Sequence, residues 1–320
     1  MMINDIVIIM YSDKDILNII NNIDDYDLSP QSKSDLQCAP GLEFEAGSCF
    51  KLTILIEMAE AYNKTVEMND KIKLSHNIEV LNPKKYKAYL VQELKKRMSD
   101  TCTTQKCWTK QEFIRHMNHR TREELEKYTF RPDSPQGKFE WLSTFNIEDA
   151  VKQYCKKYTD FKFFGAVPMD FAELPSLEIS NANYDKYYND GYRKFGVVFN
   201  LDNHNQSGSH WVAMYTNCND GVIYYFDSFG KKPEARVREL MRIQAKFLLK
   251  IGHKLDNIRV DYNKVQHQKK NTECGVYSVN FIIRMLRGND FDKLCNSPVS
   301  DKRINKCRKI YFNKYANKKD

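Results

Sequence analysis

The chain has 320 residues, 42% of them hydrophobic and 29% charged, enough apolar material for one large core or two ordinary ones, and it reads as a soluble globular protein. No apolar run reaches the roughly 18 residues that a membrane-spanning helix requires, so no membrane span is expected. The formal charge of +8 is uneven: residues 1–130 carry 18 Lys+Arg against 20 Asp+Glu (−2), and the remainder carries 32 against 22 (+10).

The opening MMINDIVIIMYSDKD holds a short apolar stretch with acidic residues on both sides and no small-residue cleavage site behind it, so no signal peptide is expected. Residues 1–37 are polar and acidic, and DLSPQSKSD breaks any periodicity, which predicts an exposed arm. After Ser48-Cys49, the apolar positions Leu52, Leu55, Ile56, Ala59 and Tyr62 recur at helical spacing. A second helix fits Pro83 to Met98, with the proline in its first turn, and a third fits Thr109 to His119. These predict an N-terminal arm and helical domain over residues 1–130, ending within Thr121–Phe130 before the turn-rich RPDSPQGK, and a second domain over 131–320.

Nine cysteines, an odd number without a framework spacing, suit a reducing compartment where thiols stay free. Cys102, Cys107, His116 and His119 have the ligand types of a tetrahedral zinc site. CxxxxC followed by HxxH matches no strong ligand pattern, however, so the expectation is free cysteines on a polar helix face, with no metal and no cofactor.

The second half alternates helix and strand. Phe139 to Lys157 fits a helix with Trp141, Phe145, Ile147 and Val151 at its apolar positions, and FKFFGAV and KFGVVFNL read as buried strands. Ser209–Thr216 and Val222–Asp227, either side of NCNDG, predict a hairpin. A turn centred between Cys218 and Asn219 sets His210 directly opposite Asp227, where a carboxylate can fix the tautomer of an imidazole and stabilise its charged form. From Pro233 to about Leu249 an amphipathic helix carries Val237, Leu240, Met241, Phe247 and Leu248 on one side.

NIRVDYNKV then reads as a strand that delivers Gln268, six residues ahead of Cys274. Cys274-Gly275 ends a polar turn and opens a helix with Val276, Val279, Ile282, Ile283 and Leu286 at apolar spacing. A cysteine at a helix start faces unpaired backbone N–H groups and the positive end of the dipole, both of which favour thiolate. The amide of Gln268 and the backbone N–H of Cys274 have the character of an oxyanion hole. His204 and His267 lie nearby in sequence without a partner at workable spacing, and loop positions with water contacts are expected for both.

A histidine followed by tryptophan, an acid 17 residues later, and Gln268…Cys274-Gly275 resemble the Ulp-type cysteine proteases of clan CE, the fold of SUMO-specific, adenovirus-type and viral maturation proteases. The resemblance covers roughly residues 139–287. It implies an α+β, papain-like core, a central mixed or antiparallel sheet flanked by helices, beside the N-terminal helical domain. It also implies His210 as catalytic histidine, Asp227 as its acid, Gln268 as the oxyanion glutamine and Cys274 as nucleophile. Trp141-Leu142-Ser143 resembles the family's WLND segment, so Trp141 and Trp211 are implied as substrate-binding residues that form a narrow tunnel over a C-terminal tail and favour glycine. Ser143-Thr144 in place of Asn-Asp, and Glu273 in place of the common Asp, are departures that remove no catalytic group.

APGLEFEAGSCFKLTILIEMAEAYN, RPDSPQGKFEWLSTFNI and FFGAVPMDF further resemble thiol proteases of nucleocytoplasmic large DNA viruses of the mimivirus type. What that resemblance implies is a cysteine endopeptidase cleaving after Gly-Gly or similar small-residue motifs in viral precursor proteins, in the virion or the host cytoplasm. The alternatives are an isopeptidase acting on SUMO or ubiquitin conjugates and, in a different class, a clan CE acyltransferase or a non-catalytic virion scaffold. The tail from Asp301 to Asp320 has eight basic and two acidic residues. It reads as a solvated terminal face, with weak nucleic-acid contact as the other reading.

Overall fold

The computed structural model describes residues 38–75, 82–137 and 139–313. The arm expected over residues 1–37 lies outside them. The described residues form two compact units that part between Phe130 and Arg131.

In the first unit the main helices are Leu52–Asn63 (α1) and Pro83–Met98 (α2). α2 starts where its proline puts it: the Asn82 side chain accepts the Lys84 and Lys85 N–H groups, and Pro83 fills a position that has no N–H to satisfy. Leu55, Met58 and Ala59 of α1 share a core with Tyr86, Leu90 and Leu94 of α2 and with Trp108 and Phe113. The single helix expected over Thr109–His119 does not form. The chain makes Gln105–Trp108 (α3), a 3-10 turn at Glu112–His116 and then His119–Tyr128 (α4). Capping decides this, because Thr104 accepts the Cys107 N–H and Asn118 accepts the Arg120 N–H, each starting a new helix.

The expectation of free cysteines fails in this unit, where Cys38–Cys49 and Cys102–Cys107 are disulfides. The CxxxxC spacing that fits no zinc pattern closes a short loop beside α3. There Gln105 accepts from Ser48 Oγ and donates to Gly47 O, both at 2.6 Å. Cys155, Cys218, Cys274, Cys295 and Cys307 are free thiols. Among the described residues no group of three or more His, Cys, Asp or Glu is placed to hold a metal ion.

The second unit is α+β. Its sheet runs in the order Phe161–Val167 (β1), Lys194–Asn200 (β2), Trp211–Asn217 (β3), Val222–Phe226 (β4), Arg259–Tyr262 (β5). The outer pairs β1/β2 and β4/β5 are parallel, and the central ones are antiparallel. Around it lie Thr144–Lys157 (α5), Tyr184–Asn189 (α6), Ala235–Lys250 (α7) and Cys274–Leu286 (α8). Alternation along β3 divides the core: Trp211, Ala213 and Tyr215 pack with residues of α5 and α8, and Val212 and Met214 pack with residues of α7. Three short helices follow, Phe291–Asn296 (α9), Asp301–Asn305 (α10) and Arg308–Tyr311 (α11).

Two expectations are corrected here. α5 begins at Thr144 rather than Phe139, because Ser143 and Asn146 form a capping box, and Phe145, expected on its apolar face, is 77% exposed. In the described part of the basic tail, residues 301–313, Lys302, Arg303, Lys306 and Lys309 are exposed as expected, but Ile304, Arg308, Tyr311 and Phe312 are buried.

Candidate active site

α8 is a core helix whose Val276, Val279, Ile282, Ile283 and Leu286 are all buried, and Cys274 is its first residue. The thiol therefore sits among backbone N–H groups that have no partner within the helix. A Cβ added at Gly275 would lie 2.9 Å from Leu142 Cβ and 3.3 Å from Trp211 Cδ1. Only a residue without a side chain lets those two close over the start of the helix.

The β3–β4 hairpin supplies the other groups from just beyond its strand ends. His210 Nε2 lies 2.6 Å from Asp227 Oδ1, and both residues are buried. They are not directly opposed as the turn reading predicted. The ladder pairs Ala213 with Phe226 and Asn217 with Val222, so they meet diagonally. Burial works to lower the His210 pKa, but hydrogen bonds to Asp227 and to Cys274, with the charges of both, outweigh it and lift the imidazole to about 9. With Nε2 on Asp227, Nδ1 is the ring nitrogen left for Cys274.

Asp227 is itself held in place. Its Oδ1 accepts the Phe229 N–H at 2.8 Å, its backbone N–H donates to Asn263 Oδ1 at 2.8 Å, and Asn263 Nδ2 donates back to its carbonyl at 2.6 Å. The Phe229 ring packs 4.8 Å from the imidazole, centroid to centroid. Gly230, at φ +73°, closes this turn where an added Cβ would meet the Val265 backbone at 2.9 Å. Asn263 was missed in the sequence. Its signal was its place immediately after a strand that lies parallel to β4 and so ends beside Asp227.

Gln268 is fully buried; its Oε1 accepts from Ser228 Oγ at 2.6 Å and its Nε2 donates to Lys270 O at 2.5 Å. An amide nitrogen carries two hydrogens, so one N–H remains for a further acceptor. Trp211 is buried, and its Nε1 donates to Leu142 O at 2.9 Å. That bond ties it to the neighbour of Trp141, which is 40% exposed.

His204 and His267, the two histidines near the site in sequence, do have partners. His204 Nδ1 lies 2.5 Å from Asp170 Oδ2, and the His204 N–H donates to Asp170 Oδ1 at 2.9 Å, an acid 34 residues upstream that spacing could not reveal. His267 is buried between Phe226 and Tyr277 with Nε2 3.0 Å from Cys295 O. Burial lowers its pKa, which makes it a core imidazole rather than a loop residue in contact with water.

Residues 197–317 match the profile of the Ulp1 protease family, C-terminal catalytic domain. The chain is 37% identical over 281 residues to a protein of Acanthamoeba polyphaga mimivirus named as a thiol protease, across 86% of this chain and 92% of that one. This chain belongs to the Ulp1 protease family. It is a cysteine-type peptidase, a hydrolase. Another member, named a SUMO-1 cysteine protease, from African swine fever virus, is 26% identical over 197 residues, 57% of this Ulp1-family chain and 71% of its own length. The crystal structure of an African swine fever virus protease of this family superposes with a TM-score of 0.58 at 22% identity, over 76% of this chain and 91% of that one.

Proposed function

We propose that this Ulp1-family peptidase is an endopeptidase that cuts after Gly-Gly or a similar small-residue motif in virion precursor proteins, inside the virus particle or the host cytoplasm. The observation that carries the chemistry is the buried 2.6 Å contact between the His210 imidazole and the Asp227 carboxylate, beside a Cys274 that helps to raise that imidazole's pKa.

In this reading His210 takes the thiol proton, and Asp227 holds the resulting imidazolium beside the thiolate. The thiolate attacks the scissile carbonyl, whose developing oxyanion is met by the Cys274 N–H and the second N–H of Gln268. His210 returns its proton to the leaving amine, and water then hydrolyses the thioester. Trp141 and Trp211 flank the approach, where two indoles leave room for backbone and little side chain.

A second reading keeps this machinery and directs it at the Gly-Gly tails of SUMO- or ubiquitin-like proteins, and it is favoured by the name of the African swine fever virus relative. The two are separated by incubating the protein with Gly-Gly-X peptides, and separately with SUMO and ubiquitin carrying a C-terminal electrophile. Cys274 adducts are then sought by mass spectrometry. Peptide cleavage without adducts supports maturation, and adducts support deconjugation. Failure of every glycine-terminated probe overturns both.

A further inference from the structure

The buried part of the C-terminal segment has a role that charge counting hid. Asp301, Asn305 and Arg308 fall at i, i+4 and i+7, one face of a helical path through α10 and α11. That face meets the loop between Gln268 and Cys274. Asp301 accepts the Lys269 and Lys270 N–H groups at 3.0 and 2.9 Å. Asn305 Nδ2 donates to Glu273 Oε1 at 2.7 Å, and Arg308 Nη2 lies 3.2 Å from Glu273 Oε2. Arg308 reaches further, because the same Nη2 donates to Glu140 O at 2.7 Å and to Thr272 O at 3.4 Å. Glu140 immediately precedes Trp141, and Glu273 immediately precedes Cys274.

We propose that Arg308 is a positioning residue for peptide cleavage: it ties the approach to the nucleophile to the approach to Trp141, so that thiol and indole keep a fixed separation. This rests on the reading of Cys274 and Trp141 given under Proposed function. The geometry speaks against stability as its whole purpose. Arg308 is only 8% exposed, and its Nη1 has no hydrogen-bond partner among the described residues. A buried ion pair with an unsatisfied donor stabilises a fold poorly compared with an apolar pair of the same volume. What an apolar pair cannot do is reach the Glu140 carbonyl and the Glu273 carboxylate together. A lysine would lose the second arm of the guanidinium, Nε, which also donates to Glu273 Oε2 at 3.3 Å, so its single ammonium holds the two groups less rigidly.

Arg308→Lys and the double variant Glu273→Gln/Arg308→Met test this. The double variant removes both charges, so it guards against simple unfolding from an unpaired Glu273. In both, melting temperature, iodoacetamide alkylation of Cys274, and kcat and KM on Gly-Gly and Gly-Ala peptides are measured. The expected result is alkylation within about twofold of wild type and a kcat/KM on the Gly-Gly peptide lower by roughly ten- to a hundredfold. The Gly/Ala preference should narrow as well. Wild-type kcat/KM and an unchanged Gly/Ala ratio in either folded variant overturn the proposal. So does activity that only follows melting temperature and returns with it in the double variant. Retained hydrolysis in Cys274→Ala is a separate outcome, which sinks the catalytic reading itself.

Discussion

His210 and Asp227 meet at 2.6 Å although they are not cross-strand partners. The ladder pairs Asn217 with Val222 around Cys218–Gly221, and its register extended by one residue sets Asp227 opposite Val212. The turn is therefore centred one position further along than the sequence suggested, which displaces the pairing by two residues. A displacement of two preserves the face of a strand, and the imidazole is long enough to span the diagonal. A displacement of one would have turned the two groups to opposite faces.

If this pair serves Cys274, then Cys274→Ala and His210→Ala should each reduce peptide hydrolysis to residual levels, a loss of roughly 10⁴-fold or more, in protein that remains folded. Asp227→Asn should lose about two orders of magnitude less, because an asparagine oxygen can still accept from Phe229 and orient the ring without stabilising its charge. Steady-state assays on a Gly-Gly peptide decide it, and wild-type activity in Cys274→Ala sinks the assignment.

The pH dependence follows from the raised His210. Its pKa of about 9 stands above the ~6.5 of an unfolded histidine. Between these values the folded protein binds the extra proton, so this contribution to stability is complete below about pH 6.5 and is lost as the pH rises to about 9. Melting temperature should fall across that window. The alkaline limb of kcat/KM should lie near pH 9 and shift to lower pH in Asp227→Asn, since removing the carboxylate charge removes what holds the proton. An unmoved limb would mean that another group titrates there.

Gln268→Ala should lower kcat by roughly 10²–10³ with little change in KM, as expected of a bond completed only in the transition state. It should also cost about 1–3 kcal/mol of stability, because Ser228 Oγ and Lys270 O lose a buried partner. Kinetics and a denaturation curve together check this. A change confined to KM would make Gln268 a substrate-binding residue instead.

Trp141 is 40% exposed, so Trp141→Ala should leave stability nearly unchanged. If the indole walls the glycine tunnel, the variant should cleave the Gly-Gly peptide more slowly and discriminate less against Gly-Ala. In wild type, the added Cβ costs about 1–3 kcal/mol, or roughly ten- to a hundredfold in kcat/KM. Lost stability with an unchanged Gly/Ala ratio would mark Trp141 as packing alone.

Alkylation of the denatured, unreduced protein should label five thiols, and prior reduction should raise that to nine. Reduction should also destabilise the first unit by about 2–4 kcal/mol in a denaturant titration, as expected for released cross-links. Nine labelled thiols without reductant would show that both pairs are open in solution.

Local chemistry alone determined much of this protein. Asn82-Pro83 set the start of α2, the apolar runs FKFFGAV and KFGVVFNL between polar loops marked buried strands, and Cys274-Gly275 before an apolar helical stripe marked the head of α8, because capping, apolar runs and turn residues act within a few positions. Tertiary structure decided what depends on distant partners. Cys38 found Cys49, His204 found Asp170, and Asn263 came to rest beside Asp227 through the pairing of β4 with β5. The C-terminal segment shows the reason most clearly. In sequence Arg308 is one more cation in a basic run, but in the fold it is buried against Glu273 and the Glu140 carbonyl, 35 and 168 residues away. Charge pattern reports what a residue carries, whereas burial and pairing depend on which surfaces the fold brings together.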